Sequence, residues 1–122
     1  EGIDVLDDNE VMTGRAVTAQ YMPFREDVNN MVKKVGKEEG RAQSGGTNSW
    51  PIDGLVEGDI YVADSYGKIA DGTLIGDNLG IAIYTNSKRG VIFNGAVRDM
   101  AGLDKIEGFN LWIKGHHPTS RK

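Results

Sequence analysis

Arg98 and Asp99 are adjacent residues whose side chains suit chemistry on a small anionic ligand. They follow the compact apolar run of residues 91–94 and a Gly-Ala-Val turn, so we expect them at the carboxyl end of a buried strand. Ligands gather at that end of the strands in open α/β sheets. A guanidinium binds a carboxylate through two parallel hydrogen bonds, and a carboxylate suits Mg²⁺ or Mn²⁺. The alternative interpretation is a surface ion pair with no further role.

Asp77 is the second candidate, because it stands in the turn Gly76-Asp77-Asn78-Leu79 ahead of a helical segment. The simplest role for Asp77 is an N-cap, whose side chain accepts N–H bonds at the start of a helix. The alternative is that the turn presents its free amides to an anion, because a helix N-terminus carries unpaired donors and partial positive charge. Asp77 would then act as an acid or base through a water molecule.

The elements that must position these residues follow the strand and helix pattern of an α/β protein. The predicted strands cover residues 11–22, 59–64, 91–94 and 109–114. The predicted helices cover residues 26–36, a segment from Asp77 to near Gly90, and one turn at 103–106. Four residues form one apolar face of the first helix: Val28, Met31, Val32 and Val35.

Two stretches rich in turn residues, 40–51 and 67–74, are predicted to be connections without regular structure. Trp50 lies in the first of them. It either anchors this loop to the core or faces a substrate or a second subunit.

Composition restricts the classes of function that remain. The 122 residues suffice for one domain over residues 1–122, and the net charge of −4 argues against direct nucleic-acid binding. Cys is absent, which excludes thiolate catalysis and Cys-ligated metals. No signal peptide is visible and no apolar run approaches the roughly 18 residues of a membrane span, so we expect a cytoplasmic protein. Neither a glycine-rich nucleotide-binding turn nor a G-x-S-x-G motif occurs, which argues against a methyltransferase and a serine hydrolase.

Four stretches resemble the RraA-like family: V-M-T-G-R-A-V-T, G-D-I-Y-V-A-D, G-D-N-L and V-I-F-N-G-A-V-R-D. The sharpest element is an acidic residue, twenty intervening positions and then Arg-Asp, a spacing that Asp77 and Arg98-Asp99 match. The resemblance spans residues 11–115. It implies a swivelling β/β/α fold and homotrimers, sometimes doubled into hexamers, with sites at subunit interfaces. The family includes metal-dependent 4-hydroxy-4-methyl-2-oxoglutarate aldolases that also decarboxylate oxaloacetate, regulators of ribonuclease E, and members labelled demethylmenaquinone methyltransferases.

The resemblance implies a role for each matched residue. Asp99 would ligate Mg²⁺ or Mn²⁺, and Arg98 would bind the keto acid and stabilise the enolate oxygen. Asp77 would position or deprotonate a water molecule. The backbone amides that would hold the substrate carboxylate are those around Gly76, Asn78 and Leu79.

Two functions follow from the resemblance. The first is a divalent-metal-dependent lyase acting on a small 2-oxo acid such as 4-hydroxy-4-methyl-2-oxoglutarate or oxaloacetate. The second is a non-catalytic regulator that binds a protein partner such as a ribonuclease through acidic residues 1–10 and Glu38-Glu39.

The sequence departs from the family pattern in two ways. Aldolase members carry an acid three positions after the motif Asp, where this chain has Gly102, and the nearest acid is Asp104. The family pattern also extends past both ends of this sequence, so we expect an RraA-like domain that is incomplete at both ends.

Overall fold

The computed structural model describes residues 2–44 and 46–118, so Glu1 of the predicted acidic segment, Gly45 and residues 119–122 lie outside the description. The described residues form a mixed α/β fold, as predicted. The strands are β1 (Asp4–Val5), β2 (Arg15–Gln20), β3 (Asp59–Asp64), β4 (Thr73–Ile75), β5 (Val91–Val97) and β6 (Leu111–His116). The helices are α1 (Glu26–Glu38), α2 (Trp50–Asp53), α3 (Asp77–Ser87) and α4 (Met100–Asp104), with a 3-10 turn at Thr47–Ser49 before α2.

One sheet joins all six strands in the order β1-β6-β5-β3-β2, with β4 paired to β5 outside this order. β1 runs antiparallel to β6, and the other pairs are parallel. Parallel neighbours need long crossover connections, which explains the alternation of strands and helices along the chain. The carboxyl ends of the parallel strands lie along one edge of the sheet. The candidate residues of the sequence analysis follow strands that end at this edge.

β5 is longer than predicted, and a strand lies where we predicted only a loop. Gly95, Ala96 and Val97 continue the strand, so the predicted Gly-Ala-Val turn was wrong. The reason is the three-residue strand β4, in which Thr73 pairs with Ala96 and Ile75 with Val97. A strand this short leaves little periodic signal in the sequence.

The buried core lies on one face of the sheet, under α2, α3 and α4. Its largest members are Ile52, Tyr61, Phe93, Ile75, Ile83, Leu103 and Leu111. α3 turns Gly80, Ile83 and Ser87 inwards, and the Ser87 hydroxyl donates to the Ile83 carbonyl at 2.7 Å. Within the described part of the chain, no helix has the length and apolar character needed to cross a membrane.

α1 is connected to this body through Trp50. The Trp50 ring lies so close to Gly36 that a Cβ there would collide with it. The Trp50 indole N–H donates to the Ala42 carbonyl at 2.8 Å, and the Arg41 guanidinium lies 5.8 Å from the ring centroid. Trp50 therefore anchors its loop to α1, while Met31, Val32 and Val35 of the predicted apolar face stay exposed.

Asp59, the first residue of β3, is a buried carboxylate that ties β3 to β2. Its Oδ1 accepts a hydrogen bond from Arg15 Nε at 2.8 Å, and Arg15 is also its register partner in β2. Its Oδ2 accepts the Val56 N–H at 2.9 Å. The hydrogen bond from Arg15, followed by that from Val56, holds the pKa of Asp59 below its ordinary value of 3.8.

We expect protonation of Asp59 to weaken the fold. Because its folded-state pKa lies below the unfolded value of 3.8, its stabilising contribution is present above that pH. The contribution is lost as the pH falls through the lower, folded-state pKa. Urea unfolding at about pH 6 and about pH 3 measures this loss. Asp59→Asn should lose less free energy of unfolding between these pH values than the parent protein, while Asp8→Asn, at an exposed acid, should match the parent. Equal losses in all three proteins would contradict the assignment.

Candidate functional site

The candidate residues come together because β4 and β5 end side by side. Ile75, the last residue of β4, pairs with Val97, the last residue of β5. The Arg98 N–H then donates to the Ile75 carbonyl at 2.9 Å. Gly76 and Arg98 are therefore the first residues beyond two paired strands, at the edge of the sheet where ligands bind in α/β proteins.

Gly76 allows the Arg98 and Asp99 side chains to lie directly against the backbone. A Cβ at Gly76 would come within 2.6 Å of Asp99 Oδ2 and 2.9 Å of Arg98 Nε. The backbone angles of Gly76, φ −115° and ψ −171°, are extended and open to any residue. Glycine is therefore required at this position because there is no room for a Cβ, and not because of the backbone conformation.

Arg98 and Asp99 do form the ion pair that the sequence suggested. Arg98 Nε lies 3.3 Å from Asp99 Oδ2, and the side chains are 43% and 47% exposed. A pair this open contributes little to stability, because water screens it. The same openness leaves both groups accessible to a small ligand.

Asp99 has a left-handed backbone conformation, with φ 58° and ψ 41°. Residues other than glycine adopt this region uncommonly, although Asp and Asn tolerate it best. The turn that follows holds this conformation, since the Asp99 carbonyl accepts the N–H groups of Gly102 and Leu103 at 2.8 and 3.0 Å. Such backbone conformations occur preferentially at functional sites.

Asp77 is not the N-cap of α3, so that prediction was wrong. Gly76 is the N-cap and makes no side-chain cap bond, while Asp77 is the first residue of the helix. The extended backbone that an N-cap requires falls on Gly76 because it directly follows β4. Asp77 Oδ1 instead accepts the N–H of Asn78 at 2.8 Å, and Asn78 is exposed.

Asp77 lies against α4, the helix that directly follows Asp99. A Cβ at Gly102 would come within 2.7 Å of Asp77 Cβ and 2.8 Å of Asp77 Oδ2. The Gly102 N–H is bonded to the Asp99 carbonyl, so the two residues belong to the same backbone turn. Asp77 lies against this turn at Gly102, close to Asp99. The structure thus brings the N-terminus of α3, with Leu79 in its first turn, next to Arg98 and Asp99.

Sequence reasoning missed the part that Ile75 plays in this site. The Ile75 carbonyl fixes the Arg98 backbone, and this contact depends on β4. The Thr-Leu-Ile run before Gly76, with two β-branched residues, was the available signal, but three residues are too few to show a strand period.

The residues present fit a hydrated divalent cation held by one carboxylate. Mg²⁺ in proteins keeps several waters and takes one or two carboxylates, and Asp99 offers such a hard, accessible oxygen. Among residues 2–44 and 46–118, no three His, Asp or Glu side chains cluster into a fuller ligand set. Water would therefore complete the shell, and the nearby Arg98 is the other charged group that a bound ligand would meet.

The fold and this site define an α/β protein with a guanidinium–carboxylate pair at the carboxyl end of parallel strands, beside a helix N-terminus. The model of the RraA-like family, described as Aldolase/RraA, matches residues 1–122. The chain therefore belongs to the RraA-like family. This family contains both aldolases and regulators of ribonucleases.

Solved structures agree with this membership. RraAS2 of Streptomyces coelicolor, described as an unusual member of the RNase ES inhibitor RraA family, is 28% identical with a TM-score of 0.67; the match covers 98% of this chain and 51% of that one. The RNA-processing inhibitor RraA of Thermus thermophilis is 22% identical with a TM-score of 0.62, over 90% of this chain and 54% of that one. The chain thus spans about half the length of these proteins.

A third structure has the same fold under a different name. A protein described as an S-adenosylmethionine: 2-dimethylmenaquinone methyltransferase, from Geobacillus kaustophilus, is 18% identical with a TM-score of 0.65. The match covers 98% of this chain and 61% of that one. At this identity the likeness shows the fold alone. No curated protein sequence matches the chain.

We expect Gly102→Ala to destabilise the protein, although alanine is the better helix former by about 1 kcal/mol. The added methyl meets the Asp77 Cβ, which is bound to the backbone and cannot rotate away. Overpacking of this kind lowers the free energy of unfolding by about 1–3 kcal/mol, measured by urea denaturation.

Gly54→Ala is the matched control. Gly54 has a negative φ of −85°, and a Cβ there meets its nearest atoms at 3.6 and 3.9 Å, an ordinary contact. This variant should stay within about 0.5 kcal/mol of the parent. Equal stability of the two variants would show that Asp77 does not lie against Gly102.

Proposed function

We propose that this site belongs to a divalent-metal-dependent lyase that cleaves a carbon–carbon bond in a small 2-oxo acid. Oxaloacetate and 4-hydroxy-4-methyl-2-oxoglutarate are the substrates that its family membership suggests. The observation that carries the proposal is the convergence of Arg98 and Asp99 on Gly76, at the start of α3. A guanidinium, a carboxylate and a helix N-terminus thus lie next to one another, which supports a site for a small anion and its cation.

Each charged group has a task in this proposal. Asp99 would hold Mg²⁺ or Mn²⁺, and such an ion would supply Lewis-acid polarisation of a keto oxygen. Arg98, whose side chain also lies against Gly76, stabilises the negative charge that develops on that oxygen as the bond breaks. For oxaloacetate, the electrons of the C3–C4 bond pass to the enolate of pyruvate and CO₂ leaves.

The start of α3 binds the substrate carboxylate and completes the proton transfer. Amides around Gly76, Asn78 and Leu79 point out of the first turn, where no carbonyl of the helix can accept them. The Asn78 amide is already bonded to Asp77 Oδ1, so a bound anion competes with Asp77 for it. Asp77, released from this bond, orients the water molecule that protonates C3.

We expect the folded chain to release pyruvate from oxaloacetate only when Mg²⁺ or Mn²⁺ is present. Arg98→Ala and Asp99→Asn should each lower kcat/KM by about 100-fold or more. Asn is chosen to replace Asp99 because Asn tolerates the left-handed backbone. A loss of activity in this variant therefore reports the missing charge and not backbone strain. Lys68→Ala, which removes an exposed cation elsewhere, should keep full activity.

Manganese binding separates the two roles. Asp99→Asn should lose Mn²⁺ binding measured by electron paramagnetic resonance, whereas Arg98→Ala should retain it. Absence of metal-dependent pyruvate release from protein with native circular dichroism would overturn the lyase proposal, as would full activity in Arg98→Ala.

The second candidate function is regulation of a ribonuclease by direct binding. It is favoured by the 28% identity to RraAS2, which is described as a member of an RNase ES inhibitor family. The acidic residues available for docking on an Arg-rich segment are Asp4, Asp7, Asp8, Glu10, Glu38 and Glu39, all exposed. Oligomerisation as a trimer or hexamer stays a prediction from the family under either function.

A pull-down of a ribonuclease tests this second candidate. Binding that weakens with salt and is unchanged in Arg98→Ala would favour the regulator, because exposed acidic contacts are screened and do not involve the site. Binding that is lost in Arg98→Ala would count against the regulator. The absence of any binding at low salt would also count against it.

A further inference from the structure

The carboxyl end of β6 lies beside the candidate site, on the far side of β5 from β4. Ile75, Val97 and His116 are partners in register across β4, β5 and β6. The ladder continues one step past this row, since the Arg98 N–H donates to the Ile75 carbonyl at 2.9 Å. The His117 N–H donates in the same way to the Val97 carbonyl, also at 2.9 Å. The next row at this edge of the sheet therefore consists of Gly76, Arg98 and His117.

This register places His117 on the same face of the sheet as Arg98. Successive residues of a strand point to opposite faces, and partners in register point to the same one. Ile75 and Val97 are fully buried in the core, so the row that follows them belongs to the other face. Arg98 lies there against Gly76, and His117 is one strand spacing, about 4.8 Å, from Arg98.

The backbone of His117 is fixed at both of its polar groups. Besides the bond from its N–H to Val97, its carbonyl accepts the hydroxyl of the buried Thr73 at 3.0 Å. His117 is half-buried, whereas His116, the other histidine of the chain, is exposed. The chain beyond β6 is thus held against the ends of β4 and β5 as far as His117. It brings an imidazole, the side chain best suited to proton transfer near neutral pH, next to Arg98.

Cleavage of a 4-hydroxy-2-oxo acid needs a base that decarboxylation of oxaloacetate does not need. The C4 hydroxyl of the first substrate must lose its proton as the C3–C4 bond breaks. Oxaloacetate instead releases CO₂, and no proton is removed in that step. The other charged groups of the site already have tasks in the proposed lyase, since Asp99 is assigned to the cation, Arg98 to the keto oxygen and Asp77 to a water molecule.

We propose that His117 is the base that takes the C4 hydroxyl proton in carbon–carbon cleavage of a 4-hydroxy-2-oxo acid, an inference that rests on the proposed lyase function. With 4-hydroxy-4-methyl-2-oxoglutarate, the O–H electron pair forms the carbonyl of one pyruvate. The C3–C4 electron pair passes to C3 and gives the enolate of the second pyruvate. The water that Asp77 orients then protonates C3, and the hydroxide that remains takes the proton back from His117.

A comparison of two substrates with the same Mg²⁺-loaded protein tests this role. His117→Ala should lower kcat/KM for 4-hydroxy-4-methyl-2-oxoglutarate by about 100-fold or more, the usual contribution of a general base. Decarboxylation of oxaloacetate by the same variant should stay within about 3-fold of the parent. Free imidazole should restore cleavage of the first substrate by about 10-fold and leave decarboxylation unchanged. His116→Ala, at the exposed neighbour that belongs to the other face, is the matched control and should retain both activities.

The outcomes separate this inference from the lyase proposal. Equal losses on both substrates in His117→Ala, with native circular dichroism, would assign His117 a structural role and overturn the inference. Full cleavage of 4-hydroxy-4-methyl-2-oxoglutarate by that variant would do the same. A parent protein that decarboxylates oxaloacetate but does not cleave the 4-hydroxy acid would overturn the role of His117 and leave the lyase proposal standing. A parent protein that acts on neither substrate would overturn both.

Discussion

The pairing of β5 with three neighbours is the constraint on which the rest of the structure depends. β6 pairs with β5 in both halves of the strand, so β3 and β4 must share the opposite edge. The first half of β5 therefore bonds to β3 and the second half to β4. This change of neighbour ends β4 beside Val97, and only then can Gly76 meet Arg98. A slip of one residue in β4 would turn Ile75 out of the core and separate these two residues.

Burial and function are divided along this one strand. Val91, Phe93, Ala96 and Val97 are fully buried, and their contacts fix the position of β5. Asp99, two residues further, has the left-handed conformation, which costs about 1 kcal/mol or more for a residue with a side chain. The open ion pair with Arg98 is too weak to offset that cost. The well-packed strand before it and the turn of α4 after it must therefore hold the site in place.

The elements that were predicted correctly are those long enough to show a full hydrophobic period in their own residues. The strand at 59–64 and the helix that begins at Glu26 were found at or close to their observed bounds, because alternation and the three-four spacing were complete there. β4 was missed, and with it the second half of β5, because three residues show no period and Gly95 suggested a turn. The convergence on Gly76 follows from that pairing between distant segments, which no local pattern contains. Local reasoning did identify the place of Arg98 and Asp99 after a buried strand, whereas their chemistry stays a prediction.

α1 shows why a periodic face does not by itself reveal what covers it. An isolated helix of 13 residues is marginal in water, so its persistence needs packing as well as favourable charges at its ends. Trp50 supplies packing at Gly36, one turn after Val32, where only glycine leaves room for the ring. Of the residues that the pattern did single out, Met31, Val32 and Val35 stay exposed. The body of the protein thus contacts α1 at its smallest residue, a position that no search for apolar periodicity would single out.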